Sequence, residues 1–220
     1  MSRKRVGFSL VELLVVVGII GILIGLLMPT LAGARRQSMS TKCKANLSTN
    51  YKIMLMYSQD KGNHDWYAPP DKGWQPDVPP NDRWPAHVFP KHQWNPPTML
   101  CPIDQDPAGE HSYILNDHVM KRQIRVGKTG GKSPSDIILM GEKKSTEPDY
   151  YMELKKDGTS DFWTKVEKYR HGLQLGSNYL MCDGSVTAKQ PQEAEKAMDP
   201  WDPVTGPIIP VNPPPTTTKK

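Results

Sequence analysis

The sequence predicts an α+β protein. One long N-terminal helix, membrane-spanning in its first half, packs against a small antiparallel β-sheet, with a long Pro/Trp-rich loop. Three observations carry this reading. Leu10 to Met28 is apolar apart from Glu12, about the ~20 residues that a helix needs to cross the hydrocarbon core of a bilayer. Cys43, Leu47, Tyr51, Met54 and Ser58 then recur at spacings of four, four, three and four, one face of an amphipathic continuation. Near the other end, Asp183-Gly184 stands between two alternating runs, a hairpin signal whose type I′ form takes positive φ at both central residues.

The first element opens with Arg3, Lys4 and Arg5, followed by Gly7, Phe8 and the apolar run. A carboxylate within a membrane helix costs roughly 2.5 to 3.5 kcal/mol on insertion scales, so Glu12 calls for a cation. None of the chain's own cations reaches it along the helix without leaving the membrane interior. Cleavage after Gly7 would free an α-amino group that does, in cis or from a neighbouring subunit. Two other readings of these residues stay open. One is a secretory signal ending at Ala32-Gly33-Ala34, although its apolar core exceeds the roughly 7 to 15 residues usual for such signals. The other is an uncleaved anchor in which Glu12 snorkels toward the headgroups.

The basic leader, Gly7 and Phe8-Ser9-Leu10-Val11-Glu12-Leu13-Leu14 resemble the class III signal of type IV pilins and type II secretion pseudopilins, a likeness that runs from Arg3 to Ala34. The resemblance implies a pilin-like fold and a structural subunit rather than an enzyme. It implies cleavage between Gly7 and Phe8, N-methylation of Phe8, and a role for Glu12 in assembly. The implied partners are a prepilin peptidase/methyltransferase, other pilin or pseudopilin subunits, an inner-membrane assembly platform and the lipid bilayer. The implied location is the inner membrane, single-pass, with the N-terminus cytoplasmic and the globular domain periplasmic, or an extracytoplasmic filament.

The layout expected on this basis is a leader over 1–7, a transmembrane helix over 8–30, its amphipathic continuation over 31–60, and a globular domain over 61–198. A chain of 220 residues leaves room for one soluble domain after the membrane helix. The net charge of +5 loses three cations with the leader and falls to +2, which gives no support to nucleic-acid binding. Arg35 and Arg36 at the far end of the span weaken any orientation drawn from positive charge alone. Outside the cytoplasm, Cys43, Cys101 and Cys182 would sit where disulfides persist, with one thiol left over.

Pro29 and Gly33 are places where the helix loosens as it leaves the lipid, yet the periodic face beyond them carries it on to about Gln59, ~75 Å in all at 1.5 Å per residue. Residues 61–98 form an irregular insertion, because prolines at 69, 70, 76, 79, 80, 85, 90, 96 and 97 exclude regular helix. Trp66, Trp74, Trp84 and Trp94 within it are read as anchors pinning the loop to the domain rather than as a sugar-stacking platform. A membrane-tethered carbohydrate-binding module is the alternative function that such a platform would serve. His87 and His92 lack a third ligand, so no metal site is expected.

Arg35 to Leu47 also resembles a group of pilin-like proteins, common in planctomycete-type bacteria, whose globular domain ends in an H-X9-DG motif. Cys101-Pro102-Ile103-Asp104, Tyr113 with Asn116, and the segment Ser133 to Glu142 match its landmarks. Ile137 to Met140 is in any case a short apolar run bounded by Pro134 and Gly141, as a core strand should be. The motif falls on His171, Asp183 and Gly184, although eleven residues separate His171 from Asp183 here. The resemblance implies a disulfide between Cys43 and Cys101, with Cys182 buried and reduced. His171 itself is read as making a hydrogen bond that closes the last loop onto the hairpin.

A catalytic dyad of His171 and Asp183 with Ser185 as nucleophile is the third reading, but no oxyanion loop supports it, and no catalytic residue is assigned. Asp157-Gly158-Thr159-Ser160-Asp161 is similar to the calcium loops of some pseudopilins without the full ligand spacing. It is read as a surface turn, calcium being the one cofactor candidate. Residues 199–220, rich in Pro and Thr, have too few packable groups to order themselves.

Overall fold

A computed structural model describes residues 10–59, 84–89, 97–117, 132–152 and 161–191. The leader, Gly7 and Phe8, Trp66, Trp74, Trp94, His92, Asp157 to Ser160 and the tail 199–220 lie outside the described residues. The chain divides into two compact units, residues 1–38 and 39–220.

Helix α1 spans Leu10–Gln59. In the first unit every described side chain from Leu10 to Ser38 is exposed, and among the described residues this is the helix long and apolar enough to cross a membrane. The helix continues through Pro29, whose missing N–H deprives the Gly25 carbonyl of its helical donor. The Thr30 hydroxyl donates to the Leu27 carbonyl one turn back (2.7 Å).

In the second unit α1 buries Ser40, Cys43, Leu47, Asn50, Met54 and Ser58, a stripe at spacings of three and four. A short helix α2, Trp84–Val88, follows. It corrects the expectation that the prolines exclude regular helix throughout 61–98. Pro85 occupies its first turn, where a backbone donor is not needed, and the Phe89 N–H donates to the Pro85 carbonyl (2.9 Å). Trp84 is wholly buried, its ring centroid 6.0 Å from that of Phe89, so this tryptophan is an anchor in the core.

The strands are β1 Tyr113–Asn116, β2 Ile138–Glu142, β3 Tyr151–Met152, β4 Ser177–Met181 and β5 Val186–Lys189, with a single turn of helix, α3 Phe162–Lys165, between β3 and β4. They form one sheet in the order β3-β1-β2-β4-β5. β1 with β2, β2 with β4, and β4 with β5 pair antiparallel. The sheet is mixed rather than purely antiparallel, because β3 joins β1 in parallel through Leu115–Tyr151 and Asn116–Met152.

Strand alternation sorts the core into two clusters. Tyr113, Leu115, Met140, Leu180 and Cys182 pack with Cys43, Leu47 and Met54 of α1. Ile114, Ile138, Met152, Val166, Tyr179 and Met181 form the second cluster. A register shift between Ile138 and Met140 lets Leu139 and Met140 both join the helix-side cluster, the local effect of a β-bulge. Polar bonds fix α1 in place: Asn46 Nδ2 donates to the Leu100 carbonyl (2.8 Å), Asn50 Nδ2 to the Thr98 carbonyl (3.1 Å), and the Tyr51 hydroxyl to the Cys182 carbonyl (3.3 Å).

The β4–β5 hairpin turns one residue earlier than the type I′ expectation. The Gly184 N–H donates to the Met181 carbonyl (3.0 Å), so Cys182 and Asp183 are the central residues. Among these residues Gly184 takes positive φ (+87°) and Asp183 does not. The Met181 N–H then donates to the Ser185 carbonyl (2.8 Å). This is a turn closed by a left-handed glycine bulge. A Cβ on Gly184 would stand 2.3 Å from Cε1 of Tyr51, so backbone conformation and packing both exclude a side chain there. Gly184→Ala should lower the unfolding free energy by about 2 kcal/mol, measured by chemical denaturation of the detergent-solubilised chain.

Candidate functional site

Of the residues singled out in the sequence, Glu12 lies in the first turn of α1 on the exposed apolar segment. Gly7 and Phe8, the processing pair, lie outside the described residues. The remaining candidates belong to the second unit.

There, Cys43 of α1 and Cys101 are joined as a disulfide, their Cα atoms 5.3 Å apart and 58 residues apart in sequence. Cys182 is a buried free thiol. Burial, reinforced by the Asp183 charge, pushes its ionisation well above the ordinary thiol range, so it behaves as a small core residue. Glu142, the last residue of β2, lies two positions after Met140 on the same strand face and is fully buried. Its Oε1 faces Nε2 of the buried His171 at 2.8 Å, and its Oε2 accepts the Asn178 backbone N–H of β4 at 2.8 Å. Glu142 therefore ties the loop before β4 to two strands at once, and one ligand atom from each of Cys43, Cys101, Glu142 and His171 falls within 4.8 Å of the others.

His171 and Asp183 engage different partners. The Asp183 carboxylate accepts the Ser185 backbone N–H (2.8 Å) and the Ser185 hydroxyl (2.6 Å) inside the exposed hairpin turn, while the acid that meets His171 is Glu142. A Ser185–His171 relay has no geometric support, because the Ser185 hydroxyl is spent on Asp183. His87 of the Trp/Pro-rich segment is exposed on α2. Asp161 pairs with Lys165 one turn on (2.9 Å).

Sequence reasoning missed a second buried cluster beside Glu142. Arg170 Nη1 lies 3.1 Å from Asp104 Oδ1 and donates to the Ser145 hydroxyl (2.9 Å), which in turn donates to Asp104 (2.6 Å). Arg170 Nη2 also donates to the Lys143 carbonyl. Lys143 is fully buried; its Nζ donates to the Ala108 carbonyl (2.8 Å) and to the Glu147 carbonyl. Nothing in the spacing of these residues signals the cluster, since its partners come from three separate segments, 104–108, 143–147 and Arg170. Together they staple the Cys-Pro-x-Asp turn to the loop before β4.

Desolvation lowers the Lys143 pKa to about 8, with the Asp104 charge opposing the shift. The unfolded chain keeps this proton up to the ordinary value of 10.5, the folded chain only up to about 8. The unfolded state thus binds more protons between those values, and stability rises with pH across that window. Lys143→Met removes the titrating group, so the stability of wild type relative to this variant should increase from pH 8 to pH 10, as read by denaturant melts at each pH.

Comparison with known proteins adds the context. The family described as the prokaryotic N-terminal methylation motif matches residues 2–28. The chain is 39% identical over 62 residues to the type IV wide pilus major component PilA4 of Thermus thermophilus, a match covering 28% of this chain and 47% of that protein. The chain thus spans about half the length of the curated relative it matches. No solved structure matches it. Residues 2–28 match a prokaryotic N-terminal methylation motif, and over 62 residues the chain is similar to a type IV pilus component.

Proposed function

We propose that this protein is a prepilin-like structural subunit, cleaved between Gly7 and Phe8, N-methylated at Phe8 and assembled into a pilus or a type II secretion pseudopilus. The observation that carries the reading is an apolar helix, exposed along its whole first unit, with one carboxylate, Glu12, in its first turn. The match to the methylation motif and the similarity to a pilus component support it.

The physical logic runs through Glu12. Before assembly the segment from Leu10 onward spans the inner membrane, the N-terminus cytoplasmic and the globular unit periplasmic. In the bilayer the carboxylate is costly by roughly 2.5 to 3.5 kcal/mol. Cleavage creates an amine that methylation leaves basic, and this amine on one subunit meets Glu12 of the next when subunits are drawn into a filament. Apolar helices bury one another there, and the ion pair sets their axial register, because a slip along the helix leaves a charge unpaired in an apolar interior. An assembly platform and a prepilin peptidase/methyltransferase are the machinery this route requires. No cofactor takes part.

Two measurements test this. Intact mass and N-terminal sequencing of protein from its own membranes should give a chain starting at methylated Phe8; a start at Met1 or at Arg35 overturns the proposal. Glu12→Val should be processed and inserted as wild type is, yet enter filaments at least tenfold less when sheared filaments and membranes are compared by quantitative blotting.

A further inference from the structure

We propose that the dithiol form of this domain holds one zinc-class divalent cation between Cys43, Cys101, Glu142 and His171, so that the ion and the disulfide are alternative ties across the same core. The inference goes beyond a role in filament assembly and stands on the globular unit alone.

The four residues come from separate parts of the chain: α1, the segment before β1, the end of β2 and the loop before β4. All four are buried, and their ligand atoms lie within 4.8 Å of one another. The donor set is two sulfurs, one imidazole nitrogen and one carboxylate oxygen, the chemistry of a closed tetrahedral site. Zinc–sulfur bonds of about 2.3 Å set the two thiolates roughly 3.8 Å apart, a separation within the span the cluster already occupies.

Charge favours the exchange: the two thiolates formed on reduction match the charge of the dication between them, so no net charge is added to the core, which would otherwise carry the main cost. Glu142 is also already oriented. Its Oε2 is held by the Asn178 N–H at 2.8 Å, leaving Oε1, now against His171 Nε2, to turn to the ion; this is the outer support that ligating carboxylates require. With Nε2 on the ion, Nδ1 would carry the ring proton buried without a hydrogen-bond partner among the described residues, a cost that the metal–nitrogen bond has to exceed.

The two forms interconvert with balanced chemistry. Loading the dithiol releases two thiol protons to solvent. Oxidation by a disulfide-bearing oxidant passes two electrons from the thiolates to that oxidant, joins Cys43 Sγ to Cys101 Sγ, and expels the cation. The oxidant's sulfurs leave as thiols, taking up two protons.

The test uses the full chain in detergent micelles, reduced anaerobically with a phosphine, with Co2+ as a spectroscopic probe and Zn2+ as competitor. Reduced wild type should bind one Co2+ per chain with thiolate charge-transfer absorption that Zn2+ abolishes, and Zn2+ should raise its melting temperature. The air-oxidised protein should show neither effect. Cys43→Ser should remove the charge-transfer band of the paired thiolates, and Glu142→Gln and His171→Ala should each weaken Co2+ binding at least tenfold. If reduction melts the domain, Zn2+ should refold it, because binding free energy is then folding free energy. A reduced chain that binds no Co2+, that stays unfolded in excess metal, or whose affinity is unchanged in both Glu142→Gln and His171→Ala overturns the proposal.

Discussion

The constraint on which this molecule depends is that a single continuous helix changes its sequence pattern partway along. Up to Ser38, α1 is exposed on every side, and from Leu10 to Met28 it is almost wholly apolar. From Ser40 it buries one stripe, with Lys42, Lys44 and Lys52 among the residues outside it. The first pattern suits a surrounding of lipid or of other apolar helices, and the second suits a helix laid on a sheet. Both patterns fall within the bounds of α1, Leu10–Gln59, which runs on past Pro29.

Within the globular unit, polar groups do much of the organising. The sheet is short, with strands of two to five residues, and loops fill much of the described chain between them. Such loops are held by buried polar junctions: Glu142 joins His171 to Asn178, and Arg170 joins Asp104 to Ser145. These junctions specify geometry more than they add net stability, since desolvation offsets most of the attraction between buried charges. The disulfide acts differently, by restricting the unfolded chain across the helix-to-sheet connection. Tight packing of Gly184 beneath the Tyr51 ring completes the closure of the last hairpin on α1.

Much of this was legible in the residues, and where it was not the reasons are physical. The apolar run and the stripe at Cys43, Leu47, Met54 and Ser58 follow from helical periodicity. Ser40 and Asn50 share that buried stripe but escape a hydrophobicity pattern because they are polar and their side chains bond to partners far away in sequence, Asn178 and Thr98. Asp183-Gly184 marked a hairpin whose turn is centred one residue earlier, because the turn type depends on which residue takes positive φ, and the dipeptide alone does not decide between a two-residue loop and a glycine bulge. The two-residue parallel strand β3 has no sequence signature, its pairing being set by tertiary context. Likewise, the meeting of Glu142 with His171 joins positions 29 residues apart, and local spacing carries no information on it. The helical turn at Trp84 was hidden by its own proline, which breaks helices from within but opens them well.

The borders of the sheet carry a last consequence. Among the described residues its outer strands are β3, only two residues long, and β5, whose residues are all partly exposed and whose last is Lys189. Unpaired main-chain groups along a long flat border invite a second chain to add on, and brevity at one rim and a lysine at the other discourage it. Such borders make poor templates for a further strand, so under the assembly proposed above copies would be joined by their apolar helices rather than through their sheets.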